Sequence, residues 1–249
     1  MEYGNLKEAL NYLVNLGEEG AEPKVIEIGG KTYCNKSLNR YAREDKAEPI
    51  KAASLTAMVD YIKNNCGELR DSMIIHVVSP DKVILMSGLN NERDREFLFE
   101  SYTNKNGFQF DNYYDQEDFI INMQTAFKET DDLKILLQVA GNVENNATAN
   151  YGDDGVSQKT TIKKGIASKV DVKVPNPVIL APFRTFLEVE QPTSAFVFRI
   201  SEDRAGAPTF KLVGADGGLW KYEAVNCIKE YLRNQLTGVI NTRNITIIG

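Results

Sequence analysis

Two prolines, Pro182 and Pro192, fence a run of alternating side chains, and this run constrains the fold more than any other part of the chain. Proline fixes its own φ and has no amide to give to a sheet ladder, so a strand is expected between the two. On such a strand Phe183, Thr185, Leu187 and Val189 share one face, while Arg184, Phe186, Glu188 and Glu190 share the other. One face is apolar and the other carries charge. No motif in the run specifies a reaction.

The remaining periodicities supply an order of elements. Leu6, Leu10, Leu13 and Val14 mark an amphipathic helix that is expected to stop at Gly17, with 17–23 as a linker. Val25 to Ile28, Gly29-Gly30 and Lys31 to Cys34 predict a small hairpin, and 35–51 reads as a polar surface connection. Ser54 is a good N-cap for a helix with Leu55, Met58, Val59, Ile62 and Cys66 on one face, ended by Gly67. Met73 to Val78, the turn 79–82 and Val83 to Ser87 form the clearest hairpin, and Arg95 to Tyr102 adds a third strand. Asp115 caps a helix over 116–130, and a shorter helix over 133–139 ends at Gly141. The polar stretch 142–157 reads as a long loop or arm. Strands are then predicted at 160–166, 169–174, 178–190, 196–200 and 209–213, followed by a helix over 220–236 and a β-branched run at 244–248.

Strands followed by helices favour an α+β fold, mainly antiparallel sheet packed by amphipathic helices, over a doubly wound parallel sheet. The expected division is a small helix and hairpin section over 1–50 and a main α+β domain over 51–249.

Several C-terminal segments carry a family resemblance. Asp153 to Gln158, Val174 to Pro177, Pro182 to Phe186, Glu188 to Pro192, Phe196 to Arg199 and Asp216 to Trp220 together resemble the YfdQ-like proteins of phages and prophages. The likeness covers roughly the C-terminal half. It implies a phage origin and a bacterial host cytoplasm as the setting. It carries over neither a mechanism nor site residues.

The formal charge of −6 argues against tight, nonspecific binding to a nucleic-acid backbone, yet the charge is unevenly placed. Eleven acids against four bases lie between Asn90 and Asp132, whereas Lys159 to Lys173 holds five lysines and one aspartate. These are either solvated faces or complementary patches that meet within or between subunits. Cys34, Cys66 and Cys227 are odd in number and widely spaced, which disfavours structural zinc and a disulfide framework. The N-terminus lacks a basic region followed by an apolar stretch, and nowhere do about 18 apolar residues run together, so a soluble cytoplasmic chain is expected.

Catalytic constellations are sparse. His76, the only histidine, rules out any site needing two imidazoles and reads as a buried strand residue satisfied by a local hydrogen bond. There is no Gly-x-Ser-x-Gly elbow and no phosphate-cradling glycine loop. Glu188 and Glu190, pointing one way from a strand, join Asp153 and Asp154 as a conceivable Mg²⁺ site, with Arg184 as the competing salt-bridge partner. Lys159, Lys163, Lys164, Lys169 and Lys173 offer a track for single-stranded nucleic acid, with Tyr151, Phe186 or Phe198 as stacking platforms. The binding candidates are thus Asp153, Asp154, Lys163, Lys164, Arg184, Glu188, Glu190 and Arg199. No cofactor or membrane partner is implied. The reading that follows is a noncatalytic accessory protein acting by self-association or protein-partner binding; single-stranded nucleic-acid binding and Mg²⁺-dependent hydrolysis are the alternatives.

Overall fold

The structure, a computed structural model, describes residues 3–37, 46–65, 67–103, 107–143, 152–153, 157–164 and 168–249, the strands between 152 and 173 by their backbone alone. The chain divides into two compact units, Met1–Lys46 and Ala47–Gly249.

The first unit holds helix α1 (Tyr3–Ala21) and a hairpin of β1 (Val25–Ile28) and β2 (Lys31–Cys34). Gly29 and Gly30, at φ 60° and 74°, make the two-residue turn. The expected stop at Gly17 is corrected, since α1 runs on through Gly17 and Gly20 to Ala21. A glycine lowers helix stability by about 1 kcal/mol without removing its hydrogen bonds, and Glu22 N still donates to Glu18 O.

The second unit begins with β3 (Ile50–Ala52) and α2 (Leu55–Asn64), then β4 (Met73–Ser79), β5 (Lys82–Ser87) and β6 (Phe97–Tyr102). Ser54 caps α2 as predicted, its Oγ accepting from Ala57 N at 3.2 Å; the end comes at Asn65 rather than Gly67. Next come α3 (Gln116–Ala126), β7 (Phe127–Lys128), α4 (Asp131–Asn142), β8 (Gly152–Asp153), β9 (Ser157–Lys164) and β10 (Ser168–Pro175). The single helix expected over 116–130 is two elements. It breaks at Phe127, whose extended backbone pairs with Pro182 much later in the chain, and Thr130 opens α4 by accepting from Leu133 N. The chain closes with β11 (Val178–Pro182), β12 (Ser194–Glu202), β13 (Pro208–Gly214), α5 (Leu219–Gln235) and β14 (Ile245–Ile248).

Two hydrophobic cores result. One lies under the mixed sheet β14-β4-β5-β6-β3, whose inner positions Met73, Ile75, Val77, Val83 and Leu85 pack on Leu55, Met58 and Ile62 of α2 and on Ile228 and Leu232 of α5. Its outer strands β14 and β3 run parallel to their neighbours and its central pairs antiparallel. The other lies under the antiparallel sheet β13-β12-β11-β7, covered by α3 and α4. Here Phe119, Phe198 and Phe210 form a buried aromatic group with centroids 5.1–6.2 Å apart. Each such pair contributes about 0.5–1.5 kcal/mol beyond its buried area. The fold is α+β.

The proline-fenced strand is the main correction. β11 ends at Pro182, where the expected strand was to begin, and 183–193 is an irregular connection. Its amides are taken by other acceptors. Phe183 N donates to Ala126 O, while Arg184 N and Thr185 N donate to the side-chain carbonyl of Gln191 at 3.1 and 3.4 Å. Gln191 Nε2 in turn donates to the carbonyls of Phe186 and Val189. One buried amide side chain therefore supplies the bonds a neighbouring strand would have supplied. The alternation fails with it. Phe186 and Val189, assigned to opposite faces, are both buried in the first core, and Leu187 is 77% exposed.

Candidate interaction surface

The sequence candidates on this connection disperse. Glu188 Oε1 accepts from Leu55 N at 2.8 Å and Thr56 N at 3.2 Å, placing a carboxylate on the N-terminus of α2, where free amides and the helix dipole favour negative charge. Glu190 pairs with Lys128 Nζ at 2.5 Å. The two acids thus serve different elements, which removes the premise that they point the same way from one strand. Arg184 pairs with neither. Its Nη2 donates to Ser194 Oγ, and its guanidinium lies 3.9 Å from the centroid of Trp220 and within 6.0 Å of those of Phe196 and Phe110.

Arg184 and Asp216 attract one another, and burial opposes the charge of both, Arg184 being the more deeply buried. Burial pushes the guanidinium down to about 10, partly offset by the Asp216 charge. For Asp216 burial also opposes the charge. The nearby Ser194 hydroxyl, the Gly218 amide donating to Oδ1 at 3.0 Å, Arg184 and the nearby Trp220 amide outweigh it and hold the carboxyl below the usual range. Gly218, in the left-handed region at φ 87°, makes this turn into α5. The cluster fastens the connection to α5 and β12. Ser194 was not singled out from sequence, and Asp216 and Trp220 stood there only within the family resemblance, not as partners of Arg184.

Arg199 stands on β12 opposite Lys211, half-buried. Asp153 is on β8 opposite Gln158, and Asp154 lies outside the described residues, as do Tyr151 and Cys66. Lys163 stands opposite Lys169, and Lys164 opposite Ser168. Phe186 and Phe198 are buried, which corrects their reading as stacking platforms. His76 is half-buried on the β4 face opposite the first core, and no side-chain hydrogen bond joins it to the described residues; the buried, bonded histidine expected from sequence is corrected. Among the described residues no three His, Cys, Asp or Glu side chains group as metal ligands, and no helix is long and apolar enough to cross a membrane. An open depression of about 330 Å³ beside α5 and β14 is lined by Arg233, Thr237, Ile240, Asn241, Ile245 and Ile247, with no carboxylate, thiol or imidazole.

The first unit is of another kind. Every residue from Asn5 to Ser37 except Lys36 is exposed. Leu6, Leu10, Leu13 and Val14 of α1 and Val25, Ile26 and Ile28 of β1 are each more than half exposed. A two-strand hairpin is marginal in water without tertiary contacts, and most of the stability of an amphipathic helix comes from packing its apolar face. The apolar stripe predicted for α1 is there, and among the described residues of its own unit nothing covers it.

No family model, curated protein or solved structure matches the chain.

Proposed function

We propose that the chain is a noncatalytic protein that works by association, with a second copy of itself or with a protein partner, through the apolar surface of its N-terminal unit. The observation that carries this reading is the wholly exposed helix and hairpin, which display ten large apolar side chains. Completing the burial of each gives about 1 kcal/mol, roughly 10 kcal/mol in all. In a pair of copies both surfaces contribute, about 20 kcal/mol, which exceeds the 4–15 kcal/mol that association costs in lost freedom by roughly 5–16 kcal/mol, a span that contains the about 8 kcal/mol of reversible, micromolar contact. The resemblance to the YfdQ-like proteins supplies the proposed setting, a phage accessory protein in the cytoplasm of a bacterial host.

Light scattering coupled to size exclusion tests the reading on the full chain. The expected result is a mass above that of one chain at micromolar concentration, reduced to one chain by Leu10→Glu with Leu13→Glu, with the circular dichroism of the main unit unchanged. A full chain that stays monomeric and captures no host or phage protein would defeat it.

A further inference from the structure

The lysine-rich segment forms an antiparallel ribbon, and its register sorts the residues more sharply than their order in sequence. β9 and β10 pair from Ser157↔Pro175 to Lys164↔Ser168. Directly opposed residues share a face and successive ones alternate. Lys159↔Lys173, Thr161↔Asp171 and Lys163↔Lys169 therefore occupy one face, and Gln158↔Val174, Thr160↔Val172, Ile162↔Val170 and Lys164↔Ser168 the other. Val174 belongs to the apolar set and is buried in the second core, and α4 approaches both strands. The lysine positions belong to the opposite face. Two lysine pairs stand directly opposed there, an arrangement that weakens a sheet and that a bound polyanion relieves.

We propose that this face of the β9–β10 ribbon binds the phosphate backbone of double-stranded nucleic acid. This goes beyond the association reading and uses a different part of the molecule. The two lysine pairs are four residues apart along the ribbon, about 13 Å. β8 pairs only with the Gln158–Lys159 end of β9; beyond it the ribbon is two-stranded, a form that fits the major groove of a duplex, about 12 Å wide. A single strand would call for exposed aromatic platforms, and both candidates within the described residues, Phe186 and Phe198, are buried. The chain's net negative charge does not decide the matter, because at 0.1 M salt exposed charges more than about 10 Å away are largely screened.

The test is fluorescence anisotropy of a labelled 20-base-pair duplex with the full chain. Neutralising four phosphates predicts a log–log salt slope of about −3.6, roughly a 150-fold loss of affinity between 50 and 200 mM salt. Lys163→Glu with Lys169→Glu is expected to abolish binding, while Lys221→Glu with Lys51→Glu, the same charge change at exposed sites elsewhere, leaves at least a third of the affinity. Three results would overturn the proposal: no binding at 50 mM salt, equal loss in both double variants, or tighter binding to a single strand of the same length. Binding of poly-glutamate that the duplex fails to displace would assign the face to an acidic protein instead, and would overturn it too.

Discussion

Helices α1 and α2 carry nearly the same apolar stripe, and they meet opposite fates. Leu6, Leu10, Leu13 and Val14 repeat along α1 as Leu55, Met58, Val59 and Ile62 do along α2. In α2 these side chains are at most 3% exposed; in α1 they are 54–63% exposed. Periodicity specifies that a helix has an apolar face. Whether the face is covered depends on what the rest of the chain brings to it, and α2 receives Phe99, Val189, Ile228 and Leu232 from distant segments. The lesson is that an equal pattern can mean a core in one place and a contact surface in another.

The contrast is most directly broken by matched truncations. Ile62→Ala should cost about 2–5 kcal/mol of unfolding free energy in denaturant titration, the price of a cavity in a packed core. Leu13→Ala should change the stability of the dilute chain by less than about 0.5 kcal/mol while weakening association. Comparable losses from both would mean that α1 is packed in solution. A second comparison concerns how the irregular connection is held. Gln191→Ala should destabilise the main unit by about 2–3 kcal/mol, because it strands the Arg184 and Thr185 amides and the Val189 carbonyl in a largely buried setting. Arg204→Ala, on an exposed turn, should do almost nothing. A Gln191 variant as stable as the parent would show that 183–191 keeps its shape without that side chain.

The smallest effect is expected from pH. Asp216 has its folded pKa lowered, so its contribution to stability is complete above the ordinary carboxylate value near 4 and is lost as pH falls through the lower folded value. Asp216→Asn removes that dependence. The melting temperature of the variant should fall less than the parent's between pH 4 and pH 2. Parallel acid limbs would mean that the Arg184–Asp216 cluster does not contribute to acid sensitivity.

Elements whose bonds are local were legible from sequence. The β4–β5 hairpin follows from a period-2 run around Pro80-Asp81, and α2 and α3 follow from Ser54 and Asp115, whose side chains bond three residues ahead. The connection 183–193 was illegible for the complementary reason. Its amides bond to a side chain on its far end and to a helix terminus, and no alternation records that. Of the site residues, the lysines of 159–173 were visible as composition. Their arrangement as opposed pairs on one face needed the register, which is a property of two strands and of neither alone. Arg184 was visible as a charge, but its partners Ser194 and Trp220 come from separate elements.

The connection also bears on how the main unit comes apart. Phe186 and Val189 are buried in the first core, Thr185 Oγ1 donates to Pro80 O in the β4–β5 turn, and Glu188 holds α2. The same connection bonds to Ala126 at the end of α3 and lays Arg184 against Phe196 in the second core's sheet. Neither sheet can release this segment without exposing apolar surface of the first core and leaving the end of α3 without its bond. The two cores are therefore coupled into one cooperative block, and the slowest-exchanging amides of both sheets should share a single opening free energy.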